Sequence, residues 1–294
     1  MHVKKLLSIF LSLSVFSLCV LPVNATDNIY YKESGQIDLQ DYNVNIENNN
    51  VKSIHPKSKS STYDNTKLYE LCDDKNFKQD LIHSINNNEN VSVGYTTIYL
   101  KEVKDSNGSI HYEPLTVAEM KNTKTTSPDK VKYSLSFNLT VTSKDTSSQR
   151  TINTSTYIYW KPVVGLNGEK RVANGSDDFM TISYPKPYVI NINRQNGGLS
   201  GPSISSPYLN NIDSYNAVSG FRENNGGGYM KASSTQSKPS KKRRRFVAKY
   251  VHTWDKIKPS FSLGVDSSGT GSVNIGLSSS ASAWQIATYV DYSC

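Results

Sequence analysis

A strict two-residue alternation between residues 131 and 141 constrains this chain more than any other feature of its sequence. Apolar side chains occupy every second position, and Lys, Ser, Asn or Thr fills the positions between them. Successive side chains of a β-strand point to opposite faces, so this pattern predicts a strand with one face in a hydrophobic core. The apolar residues are Val131, Tyr133, Leu135, Phe137, Leu139 and Val141.

The chain beyond residue 91 repeats this period in segments rich in Val, Ile, Thr and Tyr. Residues 152–160 follow a polar turn near Asp145 and are expected to pair back, antiparallel, on the strand at 131–141. Strand patterns return in the last stretch of about fifty residues, which holds too few large apolar side chains to form a core alone. The sequence therefore predicts a mainly β protein, an antiparallel β-sandwich-like domain with two short N-terminal helices and a long irregular loop.

Helical spacing precedes the strands, between residues 68 and 86. The pattern breaks at Asp73-Asp74, and either aspartate can accept hydrogen bonds from the first backbone N–H groups of a second helix. The asparagine run at 86–88 ends that helix, so the pattern predicts two short amphipathic helices packed on a sheet. Their apolar positions are Leu68, Leu71 and Cys72, then Phe77, Leu81, Ile82 and Ile85.

The first 25 residues have the layout of a secretory signal peptide. Lys4 and Lys5 form a basic start, residues 6–21 are almost wholly apolar or small, and residues 23–25 supply a peptidase site. The alternative is an uncleaved anchor, which requires roughly twenty apolar residues. We expect residues 1–25 to be removed and the protein to be secreted, with no transmembrane segment after cleavage. The many Asn, Lys, Ser and Tyr residues are typical of a low-GC bacterial source.

The remaining chain divides into a polar segment and a β-rich domain. Residues 26–63 are polar and poorly patterned, and they are expected to form a flexible leader because they bury too little apolar surface to offset their ordering entropy. Residues 64–294 are expected to form a single domain. Within it, residues 193–242 lack sustained periodicity and predict a long, disordered-looking loop that is either functional or a linker.

Cleavage would also change the number of cysteines from three to two. Cys19 would leave with the signal peptide, so Cys72 and Cys294 would remain as a pair. Outside the cell such a pair favours a disulfide, and closing so long a loop adds roughly 5 kcal/mol as an upper figure. The alternative is two unpaired thiols.

The chain is basic, with a formal net charge of +8 at pH 7, and one cluster concentrates this charge. Five like charges in a row repel one another, and such clusters often contact polyanions. The expected partners are an anionic cell-wall polymer, a polysaccharide or lipid headgroups, without sequence-specific recognition of nucleic acid. Two other interpretations are a solvated loop end that protects the next strand from edge pairing, and a protease-sensitive site. The cluster consists of Lys241, Lys242, Arg243, Arg244 and Arg245.

No catalytic template fits the remaining polar residues. The histidines form no H-E-x-x-H helix, the glycine pattern at 198–202 lacks the last glycine of a nucleophile elbow, and the two cysteines cannot form a metal cage without scattered histidines. The stripe from Phe246 to Trp254 places His252 among aromatic residues, which favours a core-facing strand over a ligand pocket. We predict no cofactor and no metal site.

The sequence thus favours a secreted, non-catalytic binding protein that acts on an anionic or carbohydrate partner. Its predicted contact residues are those of the 241–245 cluster. Two alternatives stay open. One is a membrane-active, toxin-like protein that uses the Ser- and Gly-rich hairpin at 261–277, and the other is a secreted hydrolase whose site the sequence does not reveal.

Overall fold

Strands dominate the structure, which is a computed structural model. It describes residues 30–57, 65–126, 130–163, 178–185, 191–197, 211–213, 216–221, 227–237, 243–254, 260–265, 271–276 and 283–293. The prediction of a mainly β, antiparallel fold with few helices is confirmed. Residues 1–25, the predicted signal peptide, lie outside the described residues.

The first half of the chain contains the described helices and the longest strands. The helices are α1 (Asn65–Leu71), α2 (Lys75–Asn86) and α3 (Val117–Thr126), and a 3₁₀ turn spans Leu39–Asp41. The strands are β1 (Lys32–Asp38), β2 (Tyr42–Glu47), β3 (Asn50–Pro56), β4 (Asn90–Lys104), β5 (Ile110–Pro114), β6 (Tyr133–Asp145) and β7 (Gln149–Pro162).

In the second half, the described secondary structure consists of strands. They are β8 (Asp178–Ser183), β9 (Asn191–Gly197), β10 (Asn211–Asp213), β11 (Asn216–Phe221), β12 (Gly227–Ser237), β13 (Arg243–Thr253), β14 (Ser260–Val265), β15 (Gly271–Gly276) and β16 (Ala283–Ser293).

The large sheet has seven strands and is organised around β4. Its order is β1-β4-β6-β7-β12-β9, and β4 is long enough to pair with β6 along one edge and with β1 and then β5 along the other. β6 and β7 form the antiparallel pair that the sequence predicts, with Leu135 opposite Trp160 and Val141 opposite Thr154.

The small sheet has five strands in the order β10-β11-β8-β13-β16. It packs against the large sheet, with β16 lying across β4 and β6, and the two facing sides supply one hydrophobic cluster. The alternating apolar residues of β6 all point into this cluster, as their period predicts. Its members include Leu135, Phe137, Leu139, Ile158 and Trp160 from the large sheet and Met180, Ile182, Phe246, Tyr250 and Ile286 from the small sheet.

Helices cover the other face of the large sheet. Leu68 and Leu71 of α1 and Phe77 of α2 form a second hydrophobic cluster with Val93 of β4 and Tyr157 of β7. α1 and α2 therefore pack on the large sheet, in the segment where the sequence has helical spacing. The hairpin of β2 and β3 joins the same cluster through Tyr42 and Ile54.

The end residues of α2 also agree with the sequence. The Asp74 carboxylate accepts hydrogen bonds from the backbone N–H groups of Asn76 and Phe77 at 2.8 and 3.3 Å, which makes it the N-cap. The helix ends at Asn86, and Asn88 follows with a φ of 53°, a conformation that asparagine tolerates better than most residues.

Two segments that the sequence assigned to irregular structure contain strands. Residues 32–56 of the predicted leader form β1, β2 and β3, and parts of the predicted loop at 193–242 form β10, β11, β12 and most of β9. β1 is polar, so its order comes from main-chain pairing with β4 and not from an apolar stripe. The sequence also missed α3, which begins with a capping box in which the Thr116 hydroxyl accepts from the Glu119 N–H and the Glu119 carboxylate accepts from the Thr116 N–H.

The outer edge of β16 rests on the large sheet through a set of specific contacts, called here the sheet junction. The Gln36 amide of β1 pairs with both main-chain groups of Asp291, accepting from its N–H at 2.8 Å and donating to its carbonyl at 3.0 Å. The Thr96 hydroxyl of β4 donates to the Ala287 carbonyl at 2.9 Å. Between them, Gly94 faces the Tyr289 carbonyl so closely that a Cβ on Gly94 would lie 2.1 Å from that oxygen.

Gly94→Ala should therefore destabilise the protein strongly. The new methyl group meets backbone and cannot be accommodated by a side-chain rotation, so we expect a loss of about 2 kcal/mol or more in the free energy of unfolding. Urea denaturation measures it. Gly35→Ala is the matched control, because its Cβ would meet the movable hydroxyl end of the Tyr95 side chain and should cost less. Equal losses in both variants would contradict this view of the junction.

The Asp74 cap predicts a pH dependence. Burial raises the pKa of its carboxyl group from 3.8 to about 6, so between these values the folded protein keeps a proton that the unfolded chain has released. This group's contribution to the free energy of unfolding therefore falls as the pH rises from about 4 to about 6. Asp74→Asn keeps an acceptor oxygen and does not titrate.

We expect the Asn variant to gain stability relative to the wild type, on the order of 2 kcal/mol, as the pH is raised through this window. Urea denaturation across the pH series measures the difference. Asp74→Ala should show the same pH trend but be about 1 kcal/mol less stable than the Asn variant, because it also removes the cap. Parallel pH profiles of wild type and Asn variant would refute the prediction.

Candidate functional site

A polar cavity of about 410 Å³, called here the junction cleft, opens beside the sheet junction. It lies where the ends of β1, β4, β13 and β16 meet the 3₁₀ turn. Three carboxylates and one guanidinium give it its charge, and amide and hydroxyl groups contribute the rest of its polar lining. These residues are Asp38, Asp41, Asp291 and Arg243, with Gln40, Asn90, Ser92 and Ser293.

Arginines neutralise one of the three carboxylates. Arg245 binds Asp291 with two parallel hydrogen bonds of 2.8 Å, and its guanidinium lies 4.1 Å from the centre of the Tyr289 ring. The hydrogen bonds from Arg245 lower the pKa of Asp291, so this carboxylate stays ionised. Arg243 is only 3.9 Å from Asp291, yet 69% of its side chain remains exposed at the rim of the cleft.

One wall of the cleft is prearranged by β1 and β4. Asp38 accepts hydrogen bonds from Gln36 at 2.8 Å and from the Ser92 hydroxyl at 2.5 Å. The Tyr292 side chain is buried beneath the cleft, and its hydroxyl reaches Ser143 and the Asn90 carbonyl. These bonds orient the polar groups of the wall before any ligand arrives, which lowers the entropic cost of binding.

A second cavity of about 410 Å³, called here the hairpin cavity, adjoins the first. Gln40 and Asn90 line both cavities, so the two are neighbours along a single surface. The Gln40 side-chain amide donates to the Val91 carbonyl and accepts from the Val91 N–H, each at 3.1 Å. The hairpin cavity adds polar and apolar groups from Asn43, Lys57, Ile85, Asn88 and Glu89.

The structure places part of the predicted basic cluster at this site. Arg243 lines the junction cleft, and Arg245 borders it through Asp291. Arg244 lies on the opposite face of β13, because side chains alternate along a strand. Lys241 and Lys242 lie outside the described residues. Sequence reasoning located the basic side of the cleft but missed Asp38, Asp41 and Asp291, which had no local pattern to distinguish them from ordinary surface carboxylates.

The predicted disulfide is not present among the described residues. Cys72 is an unpaired, partly buried thiol, and burial raises its pKa to about 11. Its partner in the prediction, Cys294, lies outside the described residues, so the pairing stays a prediction. The chain neighbours of the two cysteines lie near different ends of the large sheet. Asp73, next to Cys72, binds Lys161 near the end of β7, whereas Ser293, next to Cys294, lines the junction cleft with Asn90 at the start of β4.

The aromatic stripe of β13 is part of the core, as the sequence favoured. His252 is fully buried, and its Nδ1 lies 3.1 Å from the Asp178 carboxylate, which also accepts from the Tyr250 hydroxyl and the Thr253 N–H. Both side chains lie in the core and not at the surface, and the cluster joins β8 to β13.

Tryptophan does not supply a flat, exposed binding platform in this fold. Trp160 and Trp284 are buried in the main cluster, and Trp254 is half-buried with His111 stacked on it at 4.6 Å between ring centres. The Trp284 indole donates to the Tyr112 carbonyl at 2.9 Å, which adds another bond from β16 to the large sheet. Among the described residues, Tyr289 is an exposed aromatic ring next to Arg245.

Comparison of the chain with protein-family models, with curated proteins and with solved structures finds no match. Among the described residues, no group of three or more His, Cys, Asp or Glu side chains is placed to hold a metal ion. None of the described helices has the length and apolar character that crossing a membrane requires.

Proposed function

We propose that this protein is secreted and non-catalytic, with a sandwich-like β core, and that it binds an anionic or carbohydrate polymer at an extracellular or cell surface. The observation that carries the proposal is the position of Arg243. This exposed residue, the middle one of the basic cluster, lies on the rim of a prearranged polar cleft. A charge cluster that only kept the protein soluble would have no reason to adjoin such a cleft.

Two parts of this site suit different groups of a surface polymer. The basic cluster would attract anionic substituents over a distance, because its exposed charges act through solvent. The cleft would hold polar groups at short range through amides, hydroxyls and carboxylates. The proposed export rests on the signal-like layout of residues 1–25.

A membrane-active protein is the second candidate, and one observation favours it. β14 and β15 pair in an antiparallel two-stranded sheet of their own, next to β8, β11 and β13. Each strand has six residues and is about 20 Å long. A membrane-spanning strand requires roughly nine to eleven residues, so the hairpin alone is too short in this form.

Heparin chromatography tests the first proposal, with this sulfated polysaccharide as the polyanion probe. Replacing residues 241–243 with Ser should lower the salt concentration at which the protein elutes and weaken binding at low salt by about tenfold or more. With fewer basic contacts, binding releases fewer counterions from the polyanion, and this release drives the binding. The charge-matched control replaces with Ser three exposed lysines that do not line the cleft, Lys52, Lys75 and Lys104. This control should bind heparin almost as well as the wild type does.

Equal losses in the two triple variants would mean that net charge alone drives binding, and the basic cluster would lose its assigned role. Vesicles of neutral and of anionic lipid, loaded with dye and tested alongside, separate the second candidate. Dye release by the wild type in the absence of polysaccharide binding would favour membrane activity.

A further inference from the structure

We infer that the junction cleft and the hairpin cavity are successive subsites of one groove, and that this groove binds an uncharged, hydroxyl-rich chain, a neutral glycan. The inference rests on the proposed function and names the ligand class for its short-range site. It separates the ligand of the groove from that of the basic cluster beside it.

Continuity of the two cavities is the first support. Each measures about 410 Å³, and two residues, Gln40 and Asn90, line both of them. Gln40 is anchored to Val91, so the boundary between the subsites is fixed. Pockets for small ligands commonly measure about 300–1,000 Å³, so two adjoining cavities of this size suit a ligand that extends over several units.

The charge balance of the groove argues against an anionic ligand in its interior. Asp38, Asp41 and Asp291 line the junction cleft with one guanidinium, that of Arg243, and Arg245 neutralises Asp291. The hairpin cavity is lined by one base and one acid, Lys57 and Glu89. An anion entering the cleft would meet more carboxylates than cations and would be repelled. A neutral ligand carries no such cost.

The chemistry of the lining fits hydroxyl groups. Carboxylates and amide oxygens accept hydrogen bonds from hydroxyls, while amide N–H₂ groups and the Arg243 guanidinium donate to them. The described lining of the junction cleft offers no exposed apolar pocket of the kind that anchors a peptide or protein partner. In the hairpin cavity Val44 and Ile85 are half-buried, and they offer small apolar contacts suited to the C–H faces of sugar rings.

A matched pair of substitutions tests the groove. Asn43 and Asn45 are both exposed on β2, but only Asn43 lines the hairpin cavity. Asn43→Trp should fill the cavity and weaken binding of a neutral hexasaccharide by ~tenfold or more. Asn45→Trp should leave the affinity unchanged. Asp41→Ala, in the junction cleft, should also weaken binding, by severalfold.

The probes are hexasaccharides of β-1,4-linked glucose, β-1,4-linked N-acetylglucosamine and α-1,4-linked glucose, with a heparin hexasaccharide as the anionic arm, all measured by calorimetry. We expect at least one neutral chain to bind, with an affinity that does not change with salt and that survives Ser replacement of Lys241 and Lys242, which leaves Arg243 in place. If only the heparin chain binds, the inference is overturned while the proposed function stands. If no probe binds, both fail. Equal effects of the two Trp variants would also overturn the inference.

Discussion

The packing of the two sheets depends on how the outer edge of β16, the edge that faces away from β13, meets the large sheet. A strand edge presents unpaired N–H and C=O groups, which are costly to bury without partners. Here side chains supply the partners, with the Gln36 amide on both groups of Asp291 and the Thr96 hydroxyl on the Ala287 carbonyl. Gly94 lets the two backbones approach between these bonds. The two sheets can therefore pack with β16 directly across β4.

The same contacts create the candidate site. Gln36 lies in β1 and hydrogen-bonds through its side-chain amide to the main chain of Asp291. Four residues later, Gln40 makes the same kind of contact with the main chain of Val91. The segment between the two glutamines carries Asp38 to the cleft, and β16 brings Asp291 to the other side. A polar, prearranged groove results where two sheets and a 3₁₀ turn converge. Polar groups held this way keep their geometry without a ligand, as selective binding requires.

The sequence predicted those parts of the fold that depend on apolar periodicity. The alternation at 131–141 and the helical spacing around Asp73-Asp74 both describe side chains that enter a core, and burial is what such patterns record. β1 could not be recognised this way, because most of its side chains are polar and form no apolar alternation. They form hydrogen bonds with main-chain or side-chain groups far away in the sequence. The hairpin of β2 and β3 did leave a signal. Asn48 and Asn49 adopt φ values of 50° and 55° between alternating apolar residues, which is a hairpin turn.

Only the basic side of the candidate site is visible in the sequence. Arg243 and Arg245 belong to a run of basic residues, but the carboxylates that line the cleft come from segments about 200 and 50 residues away and have no common motif. The sheet junction brings them together. Amide exchange at Asp291, measured by NMR, tests that junction most directly. Our account predicts that this edge amide is protected like the central amides of β6, that Gln36→Leu abolishes the protection, and that Gln36→Glu, which keeps an acceptor, preserves it. Exchange of the wild-type Asp291 amide at the rate of an exposed loop would contradict the account.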